Sequence, residues 1–156
     1  MTEKIGVISD THGLIRPQID DIFTGCDKIL HAGDVGSFEV LDYLNNYGTV
    51  TAVSGNCDRG RLARSLADEE YIIIGNLNIY IIHDINSINM DLVTAEIDVV
   101  IFGHSHMPKK QTKNGIIYFN PGGAGTRRFD LPITVGIMEI KDSDISVQHI
   151  NLENIE

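Results

Sequence analysis

The stretch KIGVISDTHG, residues 4–13, couples an apolar run without helical period to a polar loop. A short apolar run bounded by turn signals reads as a buried strand. The pattern recurs twice downstream: KILHA (28–32) runs into GDVG (33–36), and TVTAVS (49–54) runs into GNCDRG (55–60). Between these strands lie two amphipathic segments. RPQIDDIFTG (16–25) carries Pro17 in its first turn and Gly25 past its end. SFEVLDYLNNYG (37–48) has Ser37 as candidate N-cap, Gly48 as candidate C-cap, and Val40, Leu41 and Leu44 on one face. The first third is therefore β-α-β-α-β, which predicts a parallel sheet with helices packed on it.

The remainder changes character. EYIIIGNLNIYIIH (70–83) reads as two strands joined at Gly75-Asn76, and QTKNGIIYF (111–119) as a hairpin at Asn114-Gly115. DVVIF (98–102) is another buried strand, and INSINMDLVTAEI (85–97) is predicted to be a helix. ITVGIMEI and ISVQHI close the chain as antiparallel strands around KDSD (141–144). With no repeat or linker, residues 1–156 are expected to form one α/β domain with a mixed, two-sheet core.

Composition narrows the function classes. The chain has 42% hydrophobic residues, an ordinary globular value, and a formal net charge of -10. That charge argues against nonspecific binding to a nucleic-acid backbone or an anionic membrane, both of which need a basic face. A phosphate substrate stays compatible if bound cations neutralise it locally. No export signal is expected in MTEKIGVISDTHG, where polar residues break the apolar run, and no run approaches the roughly 20 residues that span a bilayer. A soluble cytoplasmic protein is the expectation. Its two cysteines, Cys26 and Cys57, are expected to be reduced, with Cys26 packing as a small hydrophobe. Self-association is left open.

Each polar cluster sits just after a predicted strand: DTH, GD, GNCD, HD and GHSH. In open α/β sheets, ligands bind outside the carboxyl ends of the strands. Together the clusters supply Asp10, His12, Asp34, Asn56, His83, His104 and His106. Imidazole, carboxylate and amide oxygen suit Mn, Fe, Zn, Ni or Co, and the absence of thiolate pairs argues against a structural zinc knuckle. Seven groups are too many for one tetrahedral site and suit two metals sharing a bridge. Asp34, a carboxylate between Gly33 and Gly36, is the bridge candidate. His31, inside a strand, is read as structural or supporting the site, and His149 is assigned no function.

The ordered set D-x-H, G-D, G-N-x-D, H and G-H-x-H resembles the calcineurin-like metallophosphoesterase superfamily. The short chain, HAGD (31–34) and NPGG (120–123) resemble its small phosphodiesterase-like branch. The resemblance implies a two-sheet β sandwich flanked by helices. It implies one cation on Asp10, His12, Asp34 and His106 and a second on Asp34, Asn56, His83 and His104. It also implies a water activated between cations roughly 3.5–4 Å apart that attacks a phosphate ester, with diesters favoured. Asp34, Asn56, Cys57 and Asp58 are the candidate catalytic residues. Arg59, Arg61, Lys109 and Arg127 are candidates for holding a small phosphate-ester substrate, with backbone N–H groups of NPGGAG (120–125) beside them.

Two positions depart from the family pattern. Cys57 stands where many relatives carry a histidine that helps protonate the leaving group, and a thiol is a weak donor. Asp84 follows His83, where relatives usually have glycine. The competing readings are a non-catalytic protein-interaction scaffold on the same fold, like the retromer-subunit relatives, and a phosphomonoesterase.

Overall fold

The computed structural model describes residues 1–154; Ile155 and Glu156, the end of the expected domain, lie outside the described residues. In chain order the elements are β1 (Glu3–Ile8), α1 (Ile19–Phe23), β2 (Lys28–His31), α2 (Phe38–Leu44), β3 (Thr49–Ala52), α3 (Gly60–Ser65), β4 (Glu69–Ile74), β5 (Leu77–Ile82), β6 (Val99–Ile101), β7 (Lys109–Lys113), β8 (Ile116–Asn120), β9 (Thr134–Lys141) and β10 (Asp144–Asn151). They form two five-stranded sheets in the orders β10-β9-β1-β2-β3 and β4-β5-β6-β8-β7. β1, β2 and β3 are mutually parallel, with β9 antiparallel beside β1 and β3 at the sheet edge; β5, β6 and β8 are mutually parallel, with β4 and β7 antiparallel on either side.

The period of two along each strand builds three apolar layers. Ile5, Val7, Leu30 and Met138 of the first sheet meet Ile79, Ile81, Val99, Ile101 and Phe119 of the second in the central core. Ile8, Ile29, Val135 and Ile137 point the other way, onto Ile19, Ile22 and Phe23 of α1 and Val40 and Leu44 of α2. Gly6 lets α1 approach: a Cβ there would lie 2.8 Å from both Ile29 and Phe23 side chains. Tyr80, Ile82, Val100 and Ile116 on the outer face of the second sheet are covered by Ile85, Ile88, Leu92, Ala95 and Ile97.

That covering segment is not the expected helix over 85–97. It is a 3₁₀ turn at Ile85–Ser87 followed by turns. Asp84 accepts from the Asn86 N–H, and Asp91 accepts from Val93 N, Thr94 N and Thr94 Oγ1. Such side-chain acceptors offer the backbone an alternative to helix, while Ile88, Leu92 and Ala95 still reach the core. Arg59 stands at the N-cap of α3, and Arg61 and Arg64 lie within it. Lys109 and Lys110 lie on edge strand β7. Ser37 is extended but makes no side-chain cap, and α2 ends at Asn45 rather than Gly48. Both two-residue hairpins form as expected, with Asn114 and Gly115 at φ +55° and +77°. No helix among the described residues is long and apolar enough to cross a membrane.

Candidate metal centre

The parallel trios carry their polar loops to one edge of the sandwich, and backbone hydrogen bonds lock the loops together. Asp10 N donates to Gly33 O (3.0 Å), His12 N to Asp34 O (2.9 Å) and Gly103 N to His83 O (3.0 Å). Five candidate ligands sit in the left-handed region: Asp10, His12, Asp34, His104 and His106, at φ +54°, +48°, +55°, +75° and +62°. This conformation costs a residue bearing a side chain on the order of 1–3 kcal/mol and persists where surroundings over-determine it. Its concentration here marks a place where side-chain direction outweighs backbone comfort.

All seven candidate ligands come together. His106 Nε2 is 3.4 Å from Asp10 Oδ1 and 3.3 Å from His12 Nε2, and His12 Nε2 is 3.8 Å from Asp34 Oδ2. His83 Nε2 is 3.2 Å from Asp34 Oδ2, and Asn56 Oδ1 lies 3.0 Å from His83 Nε2 and 3.1 Å from His104 Nδ1. Two donor groups thus flank Asp34: Asp10, His12 and His106 on one side, and His83, Asn56 and His104 on the other. Bonds of about 2.1 Å to one cation leave ligand atoms about 3.0–3.4 Å apart, close to these separations.

One buried atom makes the same point. Asp10 is fully buried; its Oδ2 accepts from Ser9 Oγ (2.8 Å) and His104 N (3.1 Å), while Oδ1 has no hydrogen-bond partner and faces three imidazoles. A buried acceptor without a donor is costly, and a cation between these rings satisfies it. The donor set therefore fits divalent metal.

Supporting residues fix the ligands. His83 Nδ1 donates to Ala32 O at 2.7 Å, which leaves the Nε2 lone pair facing the centre. Buried His31 accepts from Gly33 N at Nδ1 (3.0 Å) and meets Thr11 Oγ1 at Nε2 (3.0 Å), while Thr11 donates to Val35 O (2.8 Å). Burial holds the His31 imidazole neutral, its pKa lowered to about 3. The supporting role expected for His31 matches this network. Asp58, expected to be catalytic, instead accepts from Val35 N (3.2 Å), Gly36 N (2.9 Å) and Gly55 N (2.9 Å). Its carboxylate ties the Asp34 loop to the Asn56 loop, which makes it a positioning residue. Gly55 permits that closeness, since a Cβ there would lie 2.1 Å from Asp34 Oδ1.

Electrostatics separate the two buried carboxylates. Burial pushes the Asp10 carboxyl up, against the pull of His83 and His106. Burial also acts against ionisation of Asp34, but hydrogen bonds prevail and hold it at about 2: one from the His83 ring when Nε2 also carries a proton in the metal-free centre, and one from the Cys57 N–H (2.8 Å). Asp84 caps the 3₁₀ turn through Oδ1 and leaves Oδ2 4.0 Å from His104 Nε2, adding negative charge behind that ring.

The basic fringe differs from expectation. Arg59 is close enough to act on the Cys57 thiol, but Arg61 lies over the Phe38 ring at 5.6 Å. Arg127 is engaged by Glu153 and Leu131 O. Lys109 lies beside Ile85, Phe102 and Tyr118, at a different cavity. Arg128, absent from the expected set, acts on both Cys57 and His106. Sequence could not choose between adjacent Arg127 and Arg128, because loop residues have no fixed alternation. The N–H groups of NPGGAG are also committed: Gly122 donates to Asn120 Oδ1, Gly123 to His106 O, Ala124 to Ser9 O and Gly125 to Asp10 O. They brace the ligand loops and are not free for a substrate. His149 bonds Asn120 O and stacks on Phe119, a structural role. Cys26 is half-buried against the α1–α2 core, and both cysteines are free.

Comparison with known proteins agrees with this geometry. A probable metallophosphoesterase of Methanocaldococcus jannaschii is 36% identical over 143 residues, covering 83% of this chain and 72% of that protein. The solved structure of a novel archaeal phosphodiesterase superposes with a TM-score of 0.76 at 25% identity, covering 94% of this chain and 99% of that one. Vps29 from Entamoeba histolytica, in complex with zinc, shares the fold with a TM-score of 0.75 at 23% identity over 96% and 99% of the two chains. Residues 4–143 match the calcineurin-like phosphoesterase superfamily domain, and the chain belongs to that superfamily, in its small phosphodiesterase-like branch.

Proposed function

We propose that this chain hydrolyses phosphodiesters in a two-cation centre bridged by Asp34. The observation that carries the reading is the orphaned Asp10 Oδ1, buried among imidazoles from three separate loops. Asp10, His12, Asp34 and His106 would hold one cation, and Asp34, Asn56, His83 and His104 the other. Bound divalent cations supply Lewis acidity toward phosphoryl oxygens and a nucleophilic water at neutral pH.

The protein's own contribution is preorganisation. Asp58 and His31 set the loops, and Ala32 O fixes the His83 tautomer, so the donors need not rearrange during the reaction. Arg59 and Arg128, on the Cys57 side, supply positive charge for an anionic substrate. A cleft of about 560 Å³ opens beside His83 and Asn56, lined also by Ser54, Asp68, Glu69 and Asp84. That cleft gives room for an ester arm beyond the phosphate, which favours a diester over a monoester. A small phosphate ester as substrate and a cytoplasmic site of action, in keeping with two unpaired cysteines, belong to the same proposal.

The test is turnover of an aryl phosphate diester and the matching monoester, with manganese and nickel titrated into metal-free protein. Diester hydrolysis that depends on the added cation and is lost in Asp34→Asn is expected. A monoester preference would replace the diester reading. Absence of turnover with every cation would favour the scaffold.

A further inference from the structure

The residue left without a role in this chemistry is Cys57. Its backbone N–H is spent on Asp34 Oδ1 at 2.8 Å, which pins the residue beside the bridging carboxylate. Its side chain is exposed, and Asn56 Nδ2 lies 3.6 Å from Sγ. Sγ, one nitrogen of His12 and one oxygen of Asp34 all lie within 4.8 Å of one another. A cation beside His12 follows from the Asp10 Oδ1 already described, which is fully buried, unpartnered and 3.9 Å from His12 Nε2.

Coordination lengths decide whether the sulfur can reach that cation. Bonds of about 2.3 Å to sulfur and about 2.1 Å to nitrogen leave the two ligand atoms about 3.6 Å apart at a tetrahedral angle. The separation of at most 4.8 Å closes with a shift of about 1 Å, small for an exposed side chain on a loop. A histidine in place of Cys57 would bring a second imidazole of borderline softness, whereas a thiolate discriminates strongly between cations.

We propose that Cys57 is a facultative metal ligand that sets which cations the centre tolerates. With a thiophilic divalent cation (zinc, cadmium or cobalt), Sγ joins His12 and Asp34 on the ion. The S–H bond breaks, an S–metal bond forms, and the proton leaves to solvent without change of oxidation state. The sulfur then fills a coordination position that a water or a phosphoryl oxygen needs, and turnover stops. Manganese and magnesium, which prefer oxygen ligands, leave the thiol free and the position open. The inference rests on the metal-centre reading above and adds a selectivity that the other seven ligands do not supply.

The test uses full-length protein stripped of metal and refilled with cobalt, read by sulfur-to-cobalt charge-transfer absorption and by cobalt content per chain. The wild type is expected to show the charge-transfer band. Cys57→Ser is expected to lose the band while retaining its cobalt, and Cys26→Ala is expected to keep both. Zinc should also inhibit the manganese-loaded wild type about tenfold more tightly than Cys57→Ser or Cys57→Ala. Bound cobalt without a thiolate band in the wild type overturns the role of Cys57 and leaves the metal centre standing. A band that survives in Cys57→Ser also overturns it. A wild type that binds no cobalt overturns the metal centre and this inference together.

Discussion

The buried centre and the basic fringe around it are built on opposite terms. Asp10, Asp34, His83 and His106 are each at most 4% exposed, and the loops that carry them are tied by backbone hydrogen bonds and by Asp58. Arg59, Arg61, Lys109 and Arg127 are exposed side chains, and Arg61 and Arg127 have found partners elsewhere. The centre is over-determined by topology, so one lost contact propagates. The fringe is a set of long solvated side chains whose contributions are screened and interchangeable.

The sharpest way to break this contrast is Asp34→Asn, which keeps the shape and removes the bridging charge. Turnover should fall on the order of 10³-fold, and calorimetric metal titration should show at least one site lost. Next comes Asp58→Ala, which touches no ligand atom but frees three backbone donors. Metal affinity should drop about 10- to 100-fold, with the fold retained by circular dichroism. An effect no larger than that of a fringe arginine would mean the loops are held by something else.

A third test addresses the burial of His31. The unfolded chain takes up a proton below its ordinary value of 6.5, which the folded site refuses until about 3. The metal-free protein should therefore lose stability as pH falls through that window, with no further loss from His31 below it. His31→Gln, which cannot titrate, should flatten the curve in urea melts. The difference between the two proteins isolates His31 from Asp10, whose raised carboxyl acts in the opposite direction. The smallest effects belong to the fringe: Arg59→Ala and Arg128→Ala should each raise KM about three- to tenfold without changing metal content, and Arg127→Ala less than about twofold. A large Arg127 effect would return that residue to the site.

The same contrast explains what was legible in the sequence. KIGVISDTHG and its two echoes announce strand-then-loop units, and right-handed parallel crossovers then place the loops at one sheet edge. The ligands were readable because their positions follow from strand ends, even though their left-handed φ values were not foreseen. Asn114-Gly115 named its own turn for a similar local reason. The segment 85–97 misled because Ile88, Leu92 and Ala95 keep helical spacing, while Asp84 and Asp91 divert the backbone into turns. The engagement of Arg127 by Glu153 and the commitment of the NPGGAG amides depend on tertiary contacts that no local pattern encodes.

The central claim is that seven side chains hold two cations across Asp34. Manganese content per chain, measured together with the electron paramagnetic resonance spectrum of the refilled protein, tests it most directly. Two ions per wild-type chain with a spin-coupled signal, reduced to an uncoupled signal in Asp34→Asn, is the predicted result. A folded wild type that binds one uncoupled ion, or none, would contradict it.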